Sequence, residues 1–182
     1  GGAAARREAL RADEVKRFVL SLFERADTEA GAGVKTTALE LLQQARDRID
    51  RELRDQPAVA FELKSSLARS LGALGDYQGA LSIVESLVGP QAPRVAVPRT
   101  MEIDARIMYA EWLPRVGRNA DALARLRELE IATRDPATPR AQRVATLRML
   151  SVSLLEAGDA YREAVERAEQ ATRLADGAPD VP

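Results

Sequence analysis

Three glycines constrain this chain more than any other feature. Gly75, Gly117 and Gly158 stand 42 and 41 residues apart, and Gly33 precedes Gly75 by another 42. Their surroundings repeat with them. Leu67, Leu71, Ala80, Val84 and Leu87 flank the first, and Tyr109, Leu113, Ala122, Leu126 and Leu129 flank the second. Leu150, Leu154, Ala164 and Ala168 flank the third, which carries one extra residue between glycine and alanine. Ala38 and Leu42 match Ala80 and Val84 at the same offset of 42. A self-similarity of this length calls for a stacked helical array, because one helix pair cannot bury its apolar faces alone. In each unit the glycine permits a reversal between two antiparallel helices, and the small alanine lets the second helix approach the first closely.

Ala, Leu, Arg and Glu dominate the chain while aromatics make up only 4% of it, a helix-forming composition in which no strand is expected. Val15, Phe18, Val19, Leu22 and Phe23 fall at i, i+3, i+4, i+7 and i+8, so an amphipathic helix is predicted over residues 6–26. Asp27, Thr28, Gly31 and Gly33 supply turn chemistry, and Thr36 or Thr37 caps a second helix over 36–54, ended by Pro57. Further helices are expected over 58–74, 77–88, 100–116, 119–134, 138–157 and 160–175, with Pro114 kinking or ending the helix it sits in. Residues 89–99 form a linker that lengthens the repeat.

The domain plan follows. Residues 1–10 read as a tag or linker remnant running into the first helix, since the chain opens on Gly-Gly, and the whole reads as a fragment of a larger protein. Residues 6–57 hold the N-terminal helix and a first, partial repeat. Residues 58–182 hold three repeats, 58–99, 100–137 and 138–175, and a short tail.

The stretch Leu67-Ala68-Arg69-Ser70-Leu71-Gly72-Ala73-Leu74-Gly75-Asp76-Tyr77-Gln78-Gly79-Ala80-Leu81 resembles a tetratricopeptide repeat, with weaker copies at Gly117-Arg118-Asn119-Ala120-Asp121-Ala122-Leu123 and Gly158-Asp159-Ala160-Tyr161-Arg162-Glu163-Ala164-Val165. The roughly 42-residue spacing resembles the elongated subtype rather than the usual period of about 34. This resemblance implies an all-α fold, a right-handed α-solenoid of antiparallel helix pairs with about seven or eight helices, and a protein or peptide ligand. The amino-terminal third, with Arg11-Ala12-Asp13-Glu14-Val15-Lys16-Arg17-Phe18, Thr36-Thr37-Ala38-Leu39-Glu40 and Ile49-Asp50-Arg51-Glu52-Leu53, resembles the region after the catalytic domain in bacterial transmembrane serine/threonine kinases that carry such repeats. That implies a sensor or docking segment, either in the extracytoplasmic part of a single-span protein or in the cytoplasm. Similar modules also follow winged-helix DNA-binding domains, which leaves a transcriptional regulator as the alternative parent.

Chemistry is sparse. With no His and no Cys, the commonest metal ligands, the thiol nucleophile and the usual near-neutral base are missing, so no catalysis, cofactor or metal is expected. Glu62 and Asp104 stand 42 apart and could sit equivalently in adjacent repeats, yet in a chain that is 30% charged they read as solvated helix faces. Gly31-Ala32-Gly33 lacks the Gly-Lys-Ser/Thr that would cradle phosphate. Lys+Arg 27 against Asp+Glu 28 gives a net charge of −1 and no bulk attraction for nucleic acid, so none is expected to bind directly. No run approaches the roughly 18 apolar residues of a membrane span, and no insertion by this segment is expected.

In such arrays the first helix of each pair lines the concave groove. Counting back from each glycine, the outward positions are Glu62, Ser65, Ser66 and Arg69; Asp104, Met108 and Glu111; and Arg148, Val152 and Leu155. These are the expected partner contacts. They lack the Lys and Asn of repeats that resemble clamps for carboxy-terminal tails. Tyr109 and Trp112, three apart on one helix face, read as packing residues. Arg140, Arg143 and Arg148 read as solvated. A self-association module, formed through an exposed terminal face around Val165, Ala168 and Leu174, is the second functional reading, and a homodimer goes with it.

Overall fold

The apolar spacing is realised as helix throughout. The computed structural model describes residues 1–31 and 37–177, and among these the chain is all-α, with eight helices and no strand. In order they are α1 (Gly2–Gly31), α2 (Ala38–Glu52), α3 (Pro57–Ala73), α4 (Tyr77–Val88), α5 (Arg99–Trp112), α6 (Asn119–Ala132), α7 (Arg140–Ala157) and α8 (Tyr161–Ala175). A short 3-10 helix, Pro114–Val116, follows α5.

Local chemistry sets the boundaries. Thr37 caps α2: its side chain accepts from the Glu40 amide while the Glu40 carboxylate accepts from the Thr37 amide, so two orphan donors are satisfied reciprocally. Pro57 opens α3 at a position where its missing amide would have had no helical partner. At the far end of α3, Gly75 takes φ +87°, and the Asp76 amide donates back to the Leu71 carbonyl at 2.9 Å, which satisfies carbonyls the helix leaves open. Gly117 repeats this arrangement with Arg118 donating to Leu113 at 2.9 Å, and Gly158 ends α7 at φ +83°. Pro114 acts as the sequence predicts: α5 stops at Trp112, and the chain tightens into the 3-10 turn that Pro114 begins.

α5 ends at Trp112, four residues short of the expected 116, and both ends of α1 depart from expectation. α1 starts at Gly2 instead of residue 6 and continues to Gly31, through Asp27 and Thr28, which the sequence offers as turn residues. Ala3–Ala5 are strong helix formers and extend the first turn. The side chains of Leu22 and Phe23, and residues Ala32, Gly33 and Thr36, lie outside the described residues.

The chain divides into two compact units, with the division falling inside α4 after Ile83. The first comprises Gly1–Ile83 with Pro93–Val97. Here α1 packs on α2 and α3, and α2 on α3. Phe18, Ala45, Ile49, Leu53, Val59, Phe61, Leu67 and Leu71 are buried. The Arg48 guanidinium lies over the Phe18 ring, 5.3 Å from its centroid, and donates to Ser21 at 3.1 Å.

The second unit comprises Val84–Ala92 and the chain from Pro98 on. In it α5 packs on α6 and α7, α6 on α7, and α7 on α8. Ile103, Ala110, Leu126, Leu129, Leu150, Leu154 and Ala164 form one apolar cluster, while Val144 and Leu147 pack with Ala171 and Leu174 in another. The phased positions are each buried within their own unit: Leu67, Leu71 and Ala80 in the first, and Tyr109, Leu113, Ala122, Leu150, Leu154 and Ala164 in the second, with the three alanines at 0% exposure. Four matched positions differ, Leu42 and Leu87 being only half-buried. Ala38 is the first residue of α2 and is exposed, the burial falling on Ala45 and Ile49; Ala168 is exposed, the burial falling on Ala171 and Leu174.

Candidate partner-binding surface

The ten residues expected to meet a partner fall into three groups. On α3, Ser66 and Arg69 stand exposed without a polar partner among the described residues. Glu62 is half-buried and paired with Arg11 at 2.9 Å. Ser65 is buried, and its hydroxyl donates to the Phe61 carbonyl at 2.8 Å. The reason is that α3 packs against both α1 and α2, so most of its circumference is covered.

On α5, Asp104 and Glu111 are exposed. Asp104 accepts from the Gln142 side-chain amide at 2.9 Å; the same Gln142 nitrogen donates to the Thr100 carbonyl at 2.8 Å, tying the start of α7 to α5. Glu111 has no polar partner among the described residues. Met108 is buried, because α5 turns that side toward its neighbours along with Ala105 and Trp112. Tyr109 and Trp112 are core residues, as their spacing suggests.

On α7, Arg148 and Val152 are exposed, as is Leu155. Val152 keeps 55% of its surface in contact with solvent and Leu155 keeps 49%, on a helix whose other sides carry Val144, Leu147, Leu150 and Leu154 into the core. Arg148 has no ion pair among the described residues. Of the expected contacts, α7 therefore presents apolar surface beside a partnerless cation, held on a helix fixed by three neighbours.

Two polar clusters were not visible in the sequence. In the first, the buried Tyr109 hydroxyl donates to Glu85 at 2.8 Å, and Arg118 donates to both Glu85, at 3.1 Å, and Asp121, at 2.7 Å. Hydrogen bonding from Arg118 holds the Glu85 carboxyl below its ordinary range against the opposing push of burial, while burial and then Glu85 push the Tyr109 phenol up. In the second, Glu163 accepts from Arg127, and Glu130 pairs with Arg167, which also lies 3.5 Å from Glu163. Arg127 holds the Glu163 carboxyl low. Every acid in these clusters is ion-paired, Glu85 and Asp121 sharing Arg118, and the pairs tie helices together. Among the described residues no group of three or more acidic side chains is placed to hold a metal ion, and no helix is long and apolar enough to cross a membrane.

Compared with protein-family profiles, curated proteins and solved structures, the chain matches none.

Proposed function

We propose that this chain is a non-catalytic protein–protein interaction scaffold, the sensor or docking segment of a larger bacterial signalling protein. The observation that carries the reading is the exposed face of α7, where Val152 and Leu155 stand in solvent beside Arg148. Solvated apolar side chains on a rigid helix, next to a charge that nothing in the fold uses, are the makings of a recognition surface. Glu111 on α5 adds a second unused charge within the same unit. The fold that goes with this reading is a right-handed solenoid of antiparallel helix pairs. The packing of early α7 with late α8, and of late α7 with early α8, supports antiparallel pairing. The kinase-associated parent rests on the sequence resemblance of the first third.

The test is direct. Proteins retained by the immobilised chain from a bacterial lysate are identified, purified and titrated against the wild type and an Arg148→Glu/Val152→Asp variant. A partner that uses this face loses at least roughly tenfold in affinity, about 1.4 kcal/mol. Unchanged affinity for every retained protein would remove α7 from the binding surface.

A further inference from the structure

The exposed row on α7 has an internal symmetry that points to its occupant. Val152 lies four residues after Arg148 and four before Glu156, and all three are exposed. Positions i, i+4 and i+8 form one ridge along a helix, so the row reads cation, apolar, anion over about 12 Å of axis. Leu155 sits beside this ridge, three residues from Val152, and enlarges its apolar centre. Neither Arg148 nor Glu156 has a polar partner among the described residues; in the same unit Arg118, Arg125, Arg127, Arg134 and Arg167 are ion-paired, while Arg140, Arg162 and Arg173 are exposed without an ion pair among the described residues. Among the described residues the other large apolar side chains left exposed are Leu10 on α1, Leu74 just past the end of α3, Ile131 on α6 and Tyr161 at the start of α8.

We propose that α7 pairs with α7 of a second copy of this chain, about a twofold axis passing beside Val152. A twofold operation places position 148 of one copy opposite position 156 of the other. Arg148 then meets Glu156 of the second copy, the reciprocal pair forms at the other end, and Val152 and Leu155 meet their equivalents between the two pairs. A ridge that runs cation, apolar, anion is its own complement under this operation and under no parallel stacking, where like charge would face like. A uniformly acidic or basic ligand would leave one end of the row mismatched. The contact of two single helices covers less than the roughly 1,600 Å² of a standard interface, so the dimer is weak and fills at high protein concentration. This inference rests on the α7 surface of the scaffold reading and commits that surface to a second copy.

Sedimentation velocity on the 182-residue chain, from micromolar to millimolar concentration, tests it. The wild type is expected to shift from monomer to dimer across this range. Arg148→Glu and Glu156→Arg each weaken the dimer by roughly tenfold or more, because each sets two like-charged pairs face to face. Val152→Asp abolishes it, and the double variant Arg148→Glu/Glu156→Arg returns to within about threefold of the wild type. All these positions are exposed, so circular dichroism and melting should match the wild type in every variant. A chain that stays monomeric at millimolar concentration, a dimer indifferent to Val152→Asp, or a double variant as weak as the single ones would each overturn the proposal. The two readings separate cleanly. A monomer that still captures a foreign protein through Arg148 and Val152 ends this inference and keeps the scaffold, whereas charge-swap rescue without any foreign partner does the reverse.

Discussion

A Cβ placed on Gly117 would meet no atom within 4 Å, yet the backbone there holds φ at +82°. The penalty for any side chain is therefore torsional, not steric. Gly117→Ala is expected to lower the stability of its unit by about 1–2 kcal/mol, read from the urea midpoint, with no change in helix content. The glycines and the alanines Ala80, Ala122 and Ala164 were legible in the sequence because backbone reversal and close approach each demand one residue type. Ala38 was misleading for a related reason: its offset matches, but as the first residue after the Thr37 cap it has no helix packed over it. Ionisation also acts at single residues. Glu163 is held below its ordinary value of 4.5 by Arg127, so the stabilisation from this pair is complete above pH 4.5 and is lost as pH falls through the folded value. The stability gap between the wild type and Glu163→Gln should thus be widest near neutral pH and close below pH 4.5, as measured by urea titrations at several pH values. Tyr109 has the opposite sense: raised above 10.0, it contributes stability that fades as pH climbs beyond that point.

Among whole helices, sequence periodicity located all eight α-helices of the described residues, though not the short 3-10 turn that Pro114 begins, and α5 stops at Trp112, short of the expected 116. The sequence could not show which charges would pair. Arg127 meets Glu163, 36 residues on, and Arg167 meets Glu130 across 37. Such pairs join α6 to α8, and nothing in the surrounding composition distinguishes their members from the many solvated Arg and Glu side chains. Glu130 keeps only 12% of its side chain exposed. Removing its main partner strands a mostly buried carboxylate, which costs more than the pair contributes. Arg167→Ala should destabilise the α6–α8 region by about 1–3 kcal/mol, seen as faster amide hydrogen exchange in both helices. The candidate surface was legible to the same partial degree. Arg148 and Val152 face solvent as the helical count places them, but Ser65 and Met108 do not, because α3 and α5 are covered on more sides than a simple two-faced helix would be. Glu156 was passed over, although its i+4 spacing from Val152 was on view in the sequence.

For the molecule as a whole, composition speaks to function mainly by what the chain lacks. Without His or Cys, no side chain has an ordinary titration near neutral pH. The chain also holds a single tryptophan, Trp112, buried at the end of α5 just before the Pro114 turn. All indole fluorescence therefore originates in the unit that contains the α6–α8 ion pairs and the α7 ridge, while the first unit is dark at that wavelength. Unfolding of one half of the protein can be watched by its own light, with no label attached.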